Sequence, residues 1–285
     1  MILSRLVDHL KKERWTGVLI ELVIVILGVF IGMQVTNWNQ ARSERQLAES
    51  YRVQIASDLG DLQRLFAGRI AYYAKARAFG ERAIEGLASD APLTAESSWN
   101  LILGLFQAGQ MWPLDIDSTS YEEAKDAGVI RLVAGERVRG ELEAFFELSK
   151  TNARTIDNVL PHYRGFIRQR IPWALQGPMW AGNCQAKTRE ESLYPDFTLT
   201  YCSPPANVSP ALLVTVAEAL KRDPEVATEL NGRMAELTVI DLDYRNYGAR
   251  AGRLAALLGR SSSVDEGTSA APASADADKQ RGSSP

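Results

Sequence analysis

The chain has 285 residues, a net charge of −3, 46% hydrophobic and 24% charged residues. This is ordinary folded composition for one or two domains, and the charge carries no footprint for nucleic acid. Two histidines, His9 and His162, are too few for a histidine metal cluster.

Thr16 to Val35 is an apolar run of 20 residues containing one carboxylate, Glu21. At helical rise it covers about 30 Å, the thickness of a bilayer's hydrocarbon core. Trp15 and Trp38 bracket it as interfacial anchors. A cleaved signal peptide is the rival, but Gln34-Val35-Thr36-Asn37-Trp38 offers no small-residue cleavage site. The reading is a single transmembrane helix over 16–38 that touches the lipid bilayer. Lys11, Lys12 and Arg14 lie closer to the span than Arg42, Arg45 and Arg52. The positive-inside bias then puts residues 1–15 in the cytoplasm. The Arg- and Ala-rich composition points to a bacterial inner membrane, with residues 39–258 a helical periplasmic domain.

Gly17, Glu21, Gly28 and Gly32 fall within about a 60° sector of that helix. Gly28 and Gly32 form G-x-x-x-G, which lets two helices approach closely. A carboxylate facing lipid is costly, so Glu21 should meet a partner or reach the headgroups. The partner is another copy or a different membrane protein.

From Gln40 to Asp90 there is no proline, and apolar residues recur at threes and fours through Leu47, Tyr51, Ile55, Leu59, Leu62, Phe66, Ile70 and Tyr73. The span therefore runs on into a membrane-proximal helix, packed within the domain or forming a coiled-coil seam. Thr94 caps a helix over 95–108 that carries Trp99, Leu101, Ile102, Leu105 and Phe106, the expected core. Ser120-x-x-Glu123 reads as a capping box and Gly128 as a stop. Helices follow over 136–158 and from Pro161 to Pro172. Residues 176–208 hold Pro178, Pro195, Pro204, Pro205, Cys184 and Cys202, and read as an irregular loop with a short hairpin at 197–201. A Cys184–Cys202 disulfide suits an oxidising compartment, two reduced thiols being the rival. Ser209-Pro210 and Asp223-Pro224 each open a helix, the last ending near Leu258. Residues 259–285 have no apolar period and read as a disordered tail. The fold class is mostly α: one transmembrane helix, then a helical bundle with a stapled irregular loop.

Chemistry is sparse. Asp115/Asp117 and Asp241/Asp243 are Asp-x-Asp pairs, but positions i and i+2 of a helix do not share a face. His162 lacks a nucleophile or metal motif beside it. Trp173, Trp180, Tyr194 and Tyr201 gather around the stapled loop, either as its own small core or as a ligand surface. No catalytic, cofactor or metal residue is assigned.

One pattern is specific. Glu21, Gly28, Gln34 and Asn37-Trp38-Asn39 resemble the N-terminal signature of a family of uncharacterised bacterial single-pass membrane proteins, a domain of unknown function. A second patch, Thr119 to Gly128 followed by Phe145-Phe146, is similar to that family's Thr-Tyr-Glu-x-Leu-Lys-x-x-Gly segment. Ile20, Gly32, Thr36 and the inserted Ser120 depart from the pattern. The resemblance implies membership and no activity. It also suggests that Gln34, Asn37, Trp38 and Asn39 dock to a membrane partner, against the plainer reading of a belt residue among headgroups. Three functions remain: association through the membrane face, ligand binding near the stapled loop, and, least supported, catalysis.

Overall fold

The computed structural model describes residues 15–112, 114–159, 161–181, 184–187 and 197–268. The cytoplasmic segment assigned to 1–15 falls outside these residues except for Trp15, and Tyr194 falls outside as well.

The first element, α1 (Trp15–Ala88), is one helix of 74 residues, about 110 Å long. Its N-terminal half is bare and its C-terminal half is the spine of a bundle. Ala48, Ile55, Leu59, Leu62, Phe66, Tyr73, Ala76, Phe79 and Ala83 are buried, continuing the predicted stripe. The stripe meets the last helix, α9 (Pro224–Thr268), and not a second copy of itself. The two are antiparallel: Arg52 donates to the Leu258 carbonyl, Phe66 faces Gly248, and Arg77 donates to the Leu237 carbonyl. Phe66 also stacks on Tyr247 at 5.9 Å. The helix does not end near Leu258 but continues to Thr268, running back toward the apolar segment. Of the tail expected over 259–285, residues 259–268 are helical and 269–285 lie outside the described residues.

Against the same spine packs α2 (Ala95–Ala108), capped reciprocally by Thr94 and Ser97. Trp99, Leu101, Ile102, Leu105 and Phe106 are all buried, as their density predicts. A Cβ on Gly104 would lie 2.9 Å from the Phe79 carbonyl oxygen, so α1 and α2 approach backbone to backbone there. Lys221 of α8 (Pro210–Arg222) donates to the Gly86 and Ser89 carbonyls. It thereby covers the C-terminus of α1, whose own last turn has no basic residue.

The short α3 (Thr119–Asp126) is not opened by Ser120. Its N-cap is Ser118, without a side-chain cap bond, and Asp117 accepts from the Thr119 N–H and hydroxyl at 2.9 and 2.7 Å. Those bonds hold the Asp117 carboxyl below the usual carboxylate range. Gly128, at φ 71°, does stop the helix. The Val129 N–H reaches the Ala124 carbonyl and that of Gly128 the Lys125 carbonyl, a Schellman ending. After α4 (Ile130–Val133), α5 (Glu136–Val159) buries Leu142, Phe145 and Phe146, with Phe146 stacked on Tyr121 at 4.8 Å.

The region from 176 is more regular than its prolines suggest. After α6 (Pro161–Arg170) comes α7 (Trp173–Ala181), a helix that takes Pro178 into its second half. Gln176 locks the α6–α7 corner by donating to the Arg168 and Ile171 carbonyls at 2.7 and 2.5 Å. Then β1 (Gln185–Lys187) pairs antiparallel with β2 (Phe197–Leu199), Ala186 opposite Thr198. The hairpin thus joins two separated strands and is not folded within 197–201.

Candidate functional site

The predicted membrane face lies on α1. Every residue from Leu19 to Gln40 is exposed, so nothing among the described residues covers this segment. By length and composition it can cross a membrane, and its lack of burial sets it apart from a soluble core helix. Added Cβ atoms at Gly28 and Gly32 would meet nothing within 4 Å. Glu21 is exposed beside them, and Gly17 lies on the same helix. The Thr36 hydroxyl returns to the Gly32 carbonyl at 3.0 Å, satisfying its polar group at the end of the apolar run. Gln34 before it and Asn37 and Asn39 after it are exposed, and Trp38 lies under the Arg42 guanidinium at 5.9 Å. Gln40 begins the solvent-facing chemistry by donating to Glu44.

Cys184 and Cys202 are bonded to one another and nearly buried. The bridge is tied to α2 by two side chains. The Trp99 indole N–H donates to the Cys202 carbonyl at 2.6 Å, and the Gln107 amide donates to the Cys184 carbonyl at 2.7 Å. The staple therefore pins the hairpin onto the core helix. A formed bridge suits an oxidising compartment.

The aromatics named for this loop do not form its core. Trp173 is 76% exposed, Tyr201 54% and Trp180 46%. The packing comes from residues that sequence reasoning assigned elsewhere or passed over. Trp112 meets Phe197 at 5.2 Å and Tyr72 at 5.3 Å, with the Arg69 guanidinium 3.4 Å over its ring. Burial among these groups pushes the Tyr72 hydroxyl well above its ordinary value.

The other candidates separate. Asp117 is occupied as a turn acceptor, and Asp241 pairs with Arg245 at 2.8 Å. The described residues contain no group of three or more metal-ligating side chains. His162 sits at the mouth of a cleft of about 490 Å³ with Phe166, Thr228 and Glu229, its Nδ1 3.8 Å from the Glu229 carboxylate. The Thr228 hydroxyl in that cleft donates to the Pro224 carbonyl of its own helix at 3.2 Å.

What sequence reasoning missed is a pair of arginines on α6. Arg164 and Arg168, one turn apart, both lie over Trp180, at 5.5 and 4.9 Å from its ring centroid. The four-residue spacing was visible in the chain, but not that α2, α6 and α7 would bring Phe106 and Trp180 to it.

No family model, curated protein or solved structure matches this chain.

Proposed function

We propose that this is a single-pass inner-membrane protein, N-terminus in the cytoplasm, whose periplasmic bundle acts by association through the membrane helix. The observation that supports the reading is the continuity of α1. One unbroken helix carries an uncovered face with Glu21, Gly28 and Gly32, then becomes the spine of the folded domain. Contact in the membrane is thereby coupled rigidly to the bundle's position. An unbroken helix through Trp38 also suits an anchor better than a cleaved leader. Association here is dimerisation or docking to another membrane protein. Close packing at glycines and a hydrogen bond from Glu21 drive it, because lipid removes the hydrophobic term between helices. Membership in the family with the Glu21 to Asn39 signature belongs to the same proposal, and with it docking by Gln34, Asn37, Trp38 and Asn39.

Gly28→Ile with Gly32→Ile lowers self- or partner association roughly fivefold or more in a membrane two-hybrid assay. An unchanged signal at equal expression removes the proposal.

Orientation and staple are checked together. With the bundle outside the cytoplasm, a membrane-impermeant thiol reagent labels Cys184 and Cys202 in intact cells only after reduction. Cys184→Ser with Cys202→Ser lowers stability by about 3 kcal/mol, since the bridge closes a short loop in the unfolded chain. Labelling that needs cell lysis overturns the orientation. A double-serine variant as stable as the parent overturns the staple's role.

A further inference from the structure

Arg164 and Arg168 are unusual among the arginines of this bundle. Two residues along the chain, Arg170 takes Asp223 and Glu225, each at 2.7 Å. Arg233 takes Glu236, Arg245 takes Asp241 and Arg222 takes Glu218. Arg164 and Arg168 have no ion pair among the described residues; the charged or titratable neighbours acting on Arg164 are Tyr72, Arg233 and Tyr73, and those acting on Arg168 are Arg164 and Tyr72. Arg164 donates one N–H to the Gln110 side-chain oxygen at 2.9 Å. The Nη2 of Arg168 is buried without a hydrogen-bond acceptor. Its guanidinium lies 5.5 Å over Phe106 as well as over Trp180, and those two rings meet edge to face at 5.6 Å.

Burial is the first cause that depresses both guanidinium pKa values, and the Arg164 charge is the second cause on Arg168, which is pushed down to about 10. Both remain charged at neutral pH. Packing on aromatic rings accounts for the position of the guanidinium planes. It does not account for two like charges one helical turn apart, which repel, or for a covered N–H with no acceptor. Neutral side chains would pack there without either cost. An oxyanion answers the first, because the guanidinium edges still open to solvent present paired donors matched to carboxylate and phosphate oxygens. The half-exposed Trp180 indole beside the pair offers a flat apolar surface for the body that carries the oxyanion.

The membrane is too far away to supply it. Arg164 and Arg168 act on Tyr72, which lies on α1 about 50 Å beyond Trp38 at helical rise. Headgroups at the Trp38 level do not reach the cluster.

We propose that Arg164, Arg168 and Trp180 form a binding site for a small soluble organic oxyanion, a carboxylate or phosphate borne on a planar apolar body. The two guanidiniums take the charge and the indole takes the body. Nothing in this site depends on association through the membrane helix, so either idea can fail alone.

The test is calorimetric titration of the full chain, in an uncharged maltoside detergent, with phenyl phosphate and with inorganic phosphate. Phenyl phosphate binds about fivefold or more tightly than inorganic phosphate. Arg164→Gln and Arg168→Gln each weaken phenyl phosphate about tenfold or more. Trp180→Leu, a change at a half-exposed position that spares the core, removes the advantage of the phenyl group and leaves inorganic phosphate binding. Arg170→Gln, on the same helix, changes the Kd less than about twofold. Melting temperature is read on every variant, and Arg168→Gln keeps that of the parent because its charge is unpaired in the free protein. No binding of phenyl phosphate by the parent, equal affinity for the two probes, or retained binding in both glutamine variants overturns the site. A fall in melting temperature for Arg168→Gln with binding intact assigns the pair to packing and overturns it as well.

Discussion

Replacing Arg233 with methionine lowers the stability of the folded domain by about 3 kcal/mol, the sum expected for two buried carbonyls left without donors. The side chain is 1% exposed, yet it is an arginine in the middle of a core. Its guanidinium explains why. Nε donates to the Ala108 carbonyl at 2.9 Å, Nη2 to the Gln110 carbonyl at 3.0 Å, and Nη1 meets Glu236 at 3.2 Å. Ala108 is the last residue of α2, and a helix end leaves carbonyls that need donors. The Leu105 carbonyl one turn earlier takes the Tyr163 hydroxyl at 3.1 Å, and burial raises that hydroxyl's pKa. So the C-terminus of the central core helix is capped from two other helices, with a cation at its negative end. Methionine fills the volume and removes every donor. Lysine restores one charge but not the fork, and recovers about half of the loss. Thermal unfolding measures it: the methionine variant melts roughly 6–12 °C lower. A shift below about 2 °C means that the carbonyls find other donors and that the capping account is wrong.

Gly104→Leu is the second large effect, with a loss of about 3 kcal/mol or more and a change in how α1 and α2 pack. The added Cβ alone would sit 2.9 Å from the Phe79 carbonyl oxygen and 3.1 Å from the Ala83 Cβ. Neither neighbour is a flexible side-chain end, so the two helices must separate. Even Gly104→Ala is destabilising, although alanine favours a helix by about 1 kcal/mol over glycine. The sign reverses at Gly140 and Gly232, where a Cβ meets nothing within 4 Å. Alanine at either of those positions stabilises by about 0.5–1 kcal/mol through the unfolded chain. Urea unfolding of the three alanine variants separates the cases. A Gly104→Ala variant as stable as Gly140→Ala shows that the helix crossing is looser than its backbone contact implies.

These two positions mark where local chemistry stops being informative. Thr94, Ser209, Asp223 and Gly128 open or close helices in the structure as their residue types predict. A cap is a contact between residues two to four apart, so the sequence contains both partners. The Ser120 box failed because the helix starts one residue before it: Asp117 takes the Thr119 N–H and hydroxyl, and Ser120 falls inside the first turn. The α7 helix was hidden by Gly177-Pro178. Local propensity disfavours helix there, but Gln176 and the buried Leu175 and Met179 anchor it to its neighbours. Strand β1 has no apolar alternation to announce it, and its pairing with β2 depends on the Cys184–Cys202 bridge and the Gln107 amide behind it.

By itself the sequence determined the apolar helix, the sector shared by Gly17, Glu21, Gly28 and Gly32, the mostly helical class and most helix starts. All of these follow from period and from neighbours within one turn. Only the tertiary structure decided that the α1 stripe packs on α9 and not on a second copy. It alone placed Trp173, Trp180 and Tyr201 outward, and it alone set Arg233 under the end of α2. It also put Arg164 and Arg168 beside Trp180 with no ion pair among the described residues. The physical reason is common to all four: each depends on how whole helices pack, which no neighbour within one turn specifies.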